Sequence, residues 1–339
     1  MRLCLNVRFR ARARGLAPVR WLASCLFARV AVSVISLHDR ALGAYLAFAA
    51  GDALGATAEF MTAGEIACTY KGGLRNIVGG GWLHLKPGQV TDDTQMSLAL
   101  GDALLAARGW DLRMVADAFV GWMRSKPPDI GHACRRGIRR YMIDGTLCTP
   151  PADDNAGNGA AMRNLPVALA TLDSPELFAR CSLEQAHITH HHPLSDAATL
   201  LLGQLTQILL LGGSIADCRG CVTEFLGRHP RFHFEPWPGN TSGFIVDTVQ
   251  TVLHAFFRNG DIESCIVDVV NRGGDADTAG ALVGQLAGAC YGVQGLPARW
   301  LKQLDARIVE RIRRQTASLL ALPRPLPLRA ATPSSISPA

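Results

Sequence analysis

Two short segments of the sequence combine neighbouring carboxylates with hydroxyl side chains. They are Thr91-Asp92-Asp93-Thr94 and Asp275-Ala276-Asp277-Thr278, and each lies where a loop pattern gives way to a helical one. Asp and Thr are favourable helix N-caps, and a helix N-terminus stabilises negative charge. Capping accounts for one acid in each segment. It does not account for two, because neighbouring carboxylates repel each other unless a cation or another partner offsets their charge.

These two segments have the donor chemistry of a metal centre. Mg²⁺ and Mn²⁺ prefer carboxylate, hydroxyl and water oxygens as ligands. If the fold brings the segments together, they supply four carboxylates and at least two hydroxyls, enough to hold two ions. Spacing alone leaves an alternative open, in which the segments are helix caps with additional surface charge.

Helices must position these segments, because the sequence has few strand signals. Aromatic residues make up 6% of the chain, 48% of the residues are hydrophobic and 34 are glycine, which favours closely packed helices over a β-sandwich. Alternating strand patterns are nearly absent, so the predicted fold class is all-α. Apolar periodicity predicts helices at 38–54, 94–108, 111–124, 131–143, 161–171, 195–211, 243–258, 262–270, 278–290 and 297–320.

The helix after the second acidic segment carries a stripe of glycines. Gly280, Gly284 and Gly288 recur every four residues and therefore share one helix face. Each glycine costs about 1 kcal/mol of helix propensity. The stripe predicts that the backbone of another helix packs closely against this face, behind the acidic segments.

The net charge of +6 comes from an N-terminal extension, residues 1–36. The extension contains seven arginines and no acidic residue, and the rest of the chain has 27 basic and 28 acidic residues. This balance argues against nucleic acid as a partner of the main domain. Two origins of the extension remain open, a targeting segment and a start residue assigned too far upstream.

A single domain is predicted over residues 37–322, because no long linker divides them. Residues 323–339 are rich in proline and are predicted to be a disordered tail. The ten cysteines are too dispersed for a disulfide scaffold and indicate reduced thiols in a cytosol. Cys218 and Cys221 have the spacing of half a zinc or redox site, but their expected role is that of ordinary helical cysteines.

Four motifs, in this order and spacing, resemble those of the ADP-ribosylglycohydrolases. They are Gly51-Asp-Ala-Leu-Gly55, Thr91-Asp-Asp-Thr94, Gly157-Asn-Gly-Ala-Ala-Met-Arg163 and Gly274-Asp-Ala-Asp-Thr278. The resemblance extends from about residue 38 to residue 322 and is greatest to members that act on dinitrogenase reductase. It implies an orthogonal all-α single domain around a dinuclear Mn²⁺ or Mg²⁺ site. It also implies hydrolysis of the N-glycosidic bond between ADP-ribose and an arginine side chain.

The resemblance implies a role for individual residues. Glu59 would lie beside the ions as a ligand or as the base that activates water, and Asp129 would handle the proton at the arginine leaving group. Asp92 would serve both catalysis and metal binding. The implied metal ligands are Thr91, Asp92, Asp93, Asp275, Asp277 and Thr278, and the implied ADP-ribose pocket consists of Asn158, Gly159, Ala160, Met162 and Arg163.

The resemblance also implies partners and a location. The substrate would be ADP-ribosylated dinitrogenase reductase, and a PII-type signalling protein would dock to the enzyme. The protein would be cytoplasmic and would reach the membrane only through an ammonium channel complex. Two alternatives stay open: a hydrolase of serine-linked or O-acyl ADP-ribose, with segment 64–89 deciding the substrate, and a binding protein that does not turn over ADP-ribose.

Other polar groups receive simpler interpretations. Asp52 is expected to support the structure rather than to bind metal. The run His190-His-His192 is expected at a surface loop or at the rim of the substrate site. Arg135, Arg136, Arg139 and Arg140 are expected to form a solvated helix face, with docking to an acidic protein as the alternative.

Overall fold

The longest helix lies at the centre of the fold. In the computed structural model, which describes residues 35–329, α1 spans Leu37–Gly55 and is buried from Ala41 to its end. The hydroxyl of Ser36 caps it by accepting a hydrogen bond from the Asp39 N–H. Because α1 is buried along most of its length, it needs helical partners on all sides.

Helices surround α1, as the all-α prediction requires. The described residues contain isolated β-bridges but no sheet. In chain order the remaining helices are α2 (Ala63–Thr69), α3 (Asp92–Ala107), α4 (Leu112–Arg124), α5 (His132–Asp144), α6 (Leu165–Ala170), α7 (Pro175–His187), α8 (Pro193–Leu210), α9 (Ile215–Arg228), α10 (Ile245–Arg258), α11 (Ile262–Val270), α12 (Ala276–Tyr291), α13 (Ala298–Gln303) and α14 (Ala306–Leu320).

The glycine stripe lies in α12 and packs against α1 at backbone contact distance. A Cβ atom added to Gly51 would lie 2.0 Å from the carbonyl oxygen of Gly280, and one added to Gly288 would lie 2.2 Å from that of Gly43. The close packing predicted for this face is therefore confirmed. Since the contacts proceed in opposite directions along the two helices, the end of α1 meets the start of α12.

Three helices, α2, α7 and α9, are missing from the sequence prediction, although each carries clear start signals. Thr62 and Glu65 form a capping box at the start of α2. The side chain of Ser174 caps α7 and is followed by a proline in the first turn. Ser214 and Asp217 form a capping box at the start of α9. Cys218 and Cys221 lie in α9 as ordinary helical residues, and the eight cysteines of the described region form no disulfide bond.

Two predicted helices have different bounds in the structure. The helix predicted at 161–171 begins only at Leu165, where Pro166 occupies the first turn, and the preceding residues form a series of turns. The helix predicted at 297–320 is divided into α13 and α14. Asp305 starts α14 by accepting a hydrogen bond from the Arg307 N–H.

Part of the predicted tail packs against the domain. Leu326 is buried, and the carbonyl of Pro327 accepts a hydrogen bond from the Trp110 N–H at 2.7 Å. The Arg329 N–H donates to the Trp110 carbonyl at 2.9 Å. The expectation of disorder was therefore wrong for residues 323–329. The predictions for residues 1–34 and 330–339 lie outside the described residues.

The described residues contain no helix that is long and apolar enough to cross a membrane.

Candidate active site

A cleft of about 390 Å³ opens where the end of α1 meets the starts of α3, α5 and α12. Nine of the thirteen residues that sequence analysis selected for catalysis, metal binding or substrate binding line this cleft. They are Glu59, Asp92, Asp129, Asn158, Gly159, Met162, Asp275, Asp277 and Thr278. The fold thus brings together motifs that are separated by up to about 220 residues in the sequence.

Asp52 of α1 holds the start of α3 in place. Its carboxylate accepts hydrogen bonds from the backbone N–H of Thr91 at 3.0 Å and of Thr94 at 3.1 Å. It also accepts from the hydroxyl of Thr91 at 2.9 Å and from that of Thr94 at 2.6 Å. Four donors occupy this carboxylate, which explains why a buried acid is stable here. The supporting role expected for Asp52 agrees with these contacts.

The two acids of the first segment lie in the first turn of α3. Asp92 faces the cleft, whereas Asp93 lies beneath it and is 1% exposed. Asp93 Oδ2 is 3.2 Å from the Thr91 hydroxyl and 3.4 Å from the Thr278 hydroxyl. Asp93 Oδ1 is buried and has no hydrogen-bond partner among the described residues. A buried carboxylate oxygen without a partner is costly, so this atom indicates that a cation belongs beside it.

The second acidic segment is held by two glycines with left-handed backbone conformation. Gly273 and Gly274 have φ values of 74° and 66°. Added Cβ atoms would lie 1.9 Å from the carbonyl oxygens of Met61 and Thr241, respectively. Only glycine allows the loop this conformation and this approach. The loop is also paired to the segment after Glu59, because the Phe60 N–H donates to the Gly274 carbonyl at 2.8 Å.

Glu59, Asp275 and Asp277 form a compact cluster of carboxylates. Each contributes one oxygen to a group whose members lie within 4.8 Å of one another. The Asn158 amide donates to Asp275 Oδ2 and, at 3.0 Å, to the hydroxyl of Thr248. This arrangement follows from the antiparallel packing of α1 and α12, because Glu59 comes shortly after α1 and Asp275 immediately precedes α12.

The capping explanation for the acidic segments is not supported by the geometry. Thr91 and Asp275 occupy the N-cap positions of α3 and α12, and neither side chain makes a capping hydrogen bond. The two carboxylates that follow Thr91 therefore add to the charge of the cleft instead of satisfying helix ends.

Several carboxyl groups of the cleft have pKa values well above their usual range. Burial raises the pKa of Asp92 to about 8, and repulsion from Asp129 and Asp52 adds to this shift. Burial likewise raises the pKa of Glu59 to about 8, although the hydrogen bond from Trp82 opposes the shift. The pKa values of Asp93 and Asp277 are also raised by burial and by neighbouring acids. Each carboxylate disfavours ionisation of the others until positive charge enters the cleft.

The donor set fits hard divalent cations. It consists of carboxylate and hydroxyl oxygens, it includes the unpartnered Asp93 Oδ1, and no Lys or Arg forms a salt bridge with these acids among the described residues. Mg²⁺ and Mn²⁺ bind such oxygens, whereas zinc and copper favour sites with nitrogen and sulfur.

Asp129 lines the cleft just before α5, near enough to Asp92 to raise the pKa of that acid. Asp129 is half-buried, and burial still raises its pKa. The positive charges of Arg135 and His132 oppose this rise. A carboxyl group that faces the cleft and holds a proton more readily than usual is suited to general acid catalysis.

The predicted substrate-binding residues divide into two groups. Asn158, Gly159 and Met162 line the cleft, whereas Ala160 and Arg163 do not. Ala160 and Arg163 are both 0% exposed. The structure therefore places Arg163 behind the cleft wall, in contrast to the expected direct charged contact with the ligand.

The contacts of Arg163 show what it supports. Its guanidinium donates to the Gln185 side chain at 2.7 Å, to the Gln185 carbonyl at 2.9 Å and to the Thr189 hydroxyl at 2.7 Å. It also lies over the ring of Phe119, 4.5 Å from the centroid. These bonds compensate the buried charge and fix the segment that carries His190.

Three further residues contribute to the cleft: His190, which was expected at a surface loop or at the rim of the substrate site, and Phe60 and Trp82, to which no site role was assigned. His190 is buried against Gly157 and Gly159, and burial lowers its pKa to about 3, so its ring is neutral at ordinary pH. Phe60 and Trp82 form an exposed aromatic pair at the rim, with ring centroids 5.3 Å apart. The Trp82 indole donates to Glu59 Oε2 at 2.6 Å. In the sequence, the only sign of this pair was that Phe60 directly follows Glu59, an acid assigned to the site.

The sequence of the domain matches one protein family over almost its full length. The family model for ADP-ribosylglycohydrolases matches residues 33–327. This chain belongs to the ADP-ribosylglycohydrolase family. The resemblance noted in the motifs is therefore confirmed.

Individual members of the ADP-ribosylglycohydrolase family are similar in sequence and structure. ADP-ribosyl-[dinitrogen reductase] glycohydrolase of Rhodospirillum rubrum is 55% identical over 287 residues, which cover 85% of this chain and 97% of that protein. ADP-ribosylarginine hydrolase Tri1 of Pseudomonas putida is 30% identical over 89% of this chain and 83% of its own length. A solved structure described as an ADP-ribosylglycohydrolase-related protein complex has a TM-score of 0.74 at 34% identity, covering 85% of this chain and 99% of its own.

Proposed function

We propose that this enzyme removes ADP-ribose from an arginine of dinitrogenase reductase and so reactivates it. The main observation in support is the cluster of buried carboxylates that faces a cleft beside Asn158 and Gly159. The R. rubrum relative, which is named for this substrate and is 55% identical, supports the choice of protein. The arginine linkage also agrees with the name of the P. putida relative.

We propose that the cleft holds two divalent cations, Mn²⁺ or Mg²⁺. The ligands would be Thr91, Asp92, Asp93, Asp275, Asp277 and Thr278, with Glu59 adjoining them. The Thr91 hydroxyl can donate its hydrogen to Asp52 or to Asp93, and its oxygen would remain available to a cation. When bound, the ions supply positive charge that orients the ribose hydroxyls and makes a nearby water molecule more acidic.

Two acids of the cleft can divide the remaining chemistry between them. Hydrolysis breaks the bond between the anomeric carbon and the guanidine nitrogen, and a bond from that carbon to water oxygen forms. Glu59, beside the metal-binding acids, would accept the proton that water loses. Asp129, which also lines the cleft, would donate a proton to the departing nitrogen. The raised pKa of Asp129 favours the protonated form that this step requires.

The segment 157–163 would recognise the ADP-ribose moiety. Asn158, Gly159 and Met162 would contact it directly, and Ala160 and Arg163 would hold the wall of the cleft from behind. Asn158 is held by Thr248 and Asp275, so binding of the ligand and of the metal would share one side chain. Glycine at 159 permits close approach, since a side chain would collide with His190.

The test is release of ADP-ribose from arginine-ADP-ribosylated dinitrogenase reductase. We expect release with Mn²⁺, and loss of release with a chelator or in the Asp92→Ala variant. A parallel panel of serine-linked and O-acyl substrates distinguishes the remaining linkages. Binding of ADP-ribose without release from any substrate would contradict the enzymatic proposal and favour a binding protein.

The regulatory partners and the location stay proposals that rest on the family resemblance. A PII-type protein would dock to the enzyme, which would be cytoplasmic and reach the membrane only through an ammonium channel complex. Co-purification with a PII protein, with and without ammonium, tests this part separately from the activity.

A further inference from the structure

A second group of metal-ligating side chains lies apart from the carboxylate cleft. Cys148, His187 and His191 each contribute one ligand atom to a cluster within 4.8 Å. None of them lines the cleft. Cys148 comes from the loop after α5, His187 ends α7, and His191 lies in the loop between α7 and α8, four residues later.

We propose that this cluster, named here the thiol–imidazole site, binds a soft or borderline divalent cation such as Zn²⁺. One thiolate and two imidazoles are a donor set that zinc and copper favour and that Mg²⁺ and Mn²⁺ do not. Three protein ligands leave a fourth position for a further group or for water, a common arrangement for zinc.

The surroundings of both histidines match those of metal ligands. His187 Nε2 lies 3.0 Å from both carboxylate oxygens of Asp196, and His191 Nδ1 donates to the Thr149 carbonyl at 2.8 Å. Ligating histidines usually have their second nitrogen bonded to a carboxylate or a backbone carbonyl, which fixes the ring. The Asp196 carboxylate also adds negative charge beside the site, as a fourth ligand or as the partner of His187.

The backbone holds the two halves of the thiol–imidazole site together. The Thr149 N–H donates to the His187 carbonyl at 2.7 Å, so the loop with Cys148 is fixed to the end of α7. Cys148 Sγ is 3.5 Å from His191 Nδ1. The two imidazole rings stack with centroids 3.8 Å apart.

A small rotation of these side chains would suffice to bind an ion. Ligand atoms around tetrahedral zinc are roughly 3.5 Å apart, given bond lengths of about 2.0–2.3 Å. The observed limit of 4.8 Å therefore requires only a modest contraction. All three side chains are at least partly exposed, and they can rotate without disturbing the core.

An ion at this site would affect the wall of the cleft. Thr189 and His190 lie between the two histidine ligands; Thr189 accepts from the buried Arg163, and His190 lines the cleft. Metal binding would therefore restrain the segment against which the substrate is expected to lie.

The test uses Co²⁺ as a spectroscopic probe of the full-length protein. We expect a thiolate-to-cobalt charge-transfer absorption in the near ultraviolet, which the all-oxygen cleft cannot produce. The band should disappear in Cys148→Ser and remain in Cys68→Ser, since Cys68 is also exposed but is not part of the cluster. Competition with Zn²⁺ should remove the band.

A second variant tests the metal site without changing the thiol ligand. Asp196→Asn retains all three proposed ligands and should weaken Co²⁺ and Zn²⁺ binding by about 10- to 100-fold, the usual effect of losing a partner of a ligating histidine. The near-ultraviolet circular dichroism of each variant reports whether it is folded. A folded wild-type protein without the band, or a band that persists in Cys148→Ser, would overturn the proposal.

Discussion

The carboxylate cleft and the thiol–imidazole site differ in donor atoms, burial and construction. The cleft combines oxygen donors from three distant parts of the chain, and several of them are buried, such as Asp93 and Asp277. The thiol–imidazole site combines an exposed loop cysteine with two half-buried histidines, one at the end of α7 and one in the loop that follows it. Burial makes the first site electrostatically costly without a cation, whereas the second can exist without one at little cost.

The two sites therefore depend on the fold to different extents. The cleft requires the close packing of α1 and α12, because that packing brings Glu59 beside Asp275. The thiol–imidazole site requires only the end of α7 and one neighbouring loop. A long-range site should be sensitive to changes in the core, and a local site should not.

The largest effect is expected from removing a carboxylate of the cleft. Asp277→Asn should reduce ADP-ribose release by at least about a hundredfold, because a metal centre contributes several kcal/mol to catalysis. Single-turnover release measured at saturating Mn²⁺ gives the rate. Asp173→Asn, at an exposed aspartate outside the cleft, is the control and should change the rate by less than about twofold. Equal losses in both variants would contradict the assignment of the centre.

The next effect concerns the helix contact that builds the cleft. Gly51→Ala places a Cβ 2.0 Å from the Gly280 carbonyl oxygen and should destabilise the protein by about 1–3 kcal/mol or more. Thermal unfolding and Mn²⁺ affinity should both decrease. Gly220→Ala introduces the same methyl group in α9, where no atom lies within 4 Å, and should be neutral or stabilising by about 0.5–1 kcal/mol. A harmless Gly51→Ala would show that the close approach is unnecessary.

The third prediction uses pH to separate the sites. Burial raises the pKa of Glu59 and Asp92 to about 8, from about 4 in the unfolded chain. Between these values the metal-free folded protein binds more protons than the unfolded chain, so its stability falls as pH rises. The melting temperature of the chelator-treated protein should therefore fall between about pH 5 and pH 8. Mn²⁺ should raise it more at the higher pH.

A matched variant tests whether the cleft causes this pH dependence. Asp92→Asn removes one of the two acids and should make the fall in melting temperature with pH less steep. Cys148→Ser should leave this fall unchanged, because the thiol–imidazole site contains neither Glu59 nor Asp92. A metal-free melting temperature that rises over this range would contradict the raised pKa values.

The smallest effect is expected at the rim of the cleft. Trp82→Phe keeps the aromatic contact with Phe60 but removes the N–H that donates to Glu59 at 2.6 Å. One such bond contributes about 0.5–1.5 kcal/mol, so the rate should fall by roughly three- to tenfold. Trp110→Phe removes an equivalent indole bond, to Glu184 at 2.6 Å, and should affect stability without changing turnover. Unchanged turnover in Trp82→Phe would show that the indole does not position Glu59.

Much of the cleft could be predicted because its residues occur in characteristic local segments. The two acidic segments, the residue Glu59 and the Asn158-Gly159 turn are recognisable along the chain, and the structure places them around one cleft. Arg163 was predicted to contact the ligand because it follows the turn directly. It lies behind the wall instead, since Gln185 and Thr189 of another segment bind its guanidinium.

Among the helices, some features could be predicted from local patterns and others could not. The central helices α1, α3 and α12 were predictable from their apolar periodicity, and their starts agree with the prediction within about two residues. α2, α7 and α9 were missed, although their caps are present in the sequence. Residues 323–329 were expected to be disordered because of their prolines, yet they bind the backbone of Trp110, a contact that composition cannot indicate.

The sequence by itself determined the helical class, the family and the chemical types of the residues in the cleft, because these depend on local patterns and motif spacing. The tertiary structure decided which side chains face the cleft, which carboxylate oxygen lacks a partner, and which cysteine lies beside two histidines. These properties depend on long-range packing: the glycine contact of α1 with α12 sets the distances between the acids, and burial then sets their protonation.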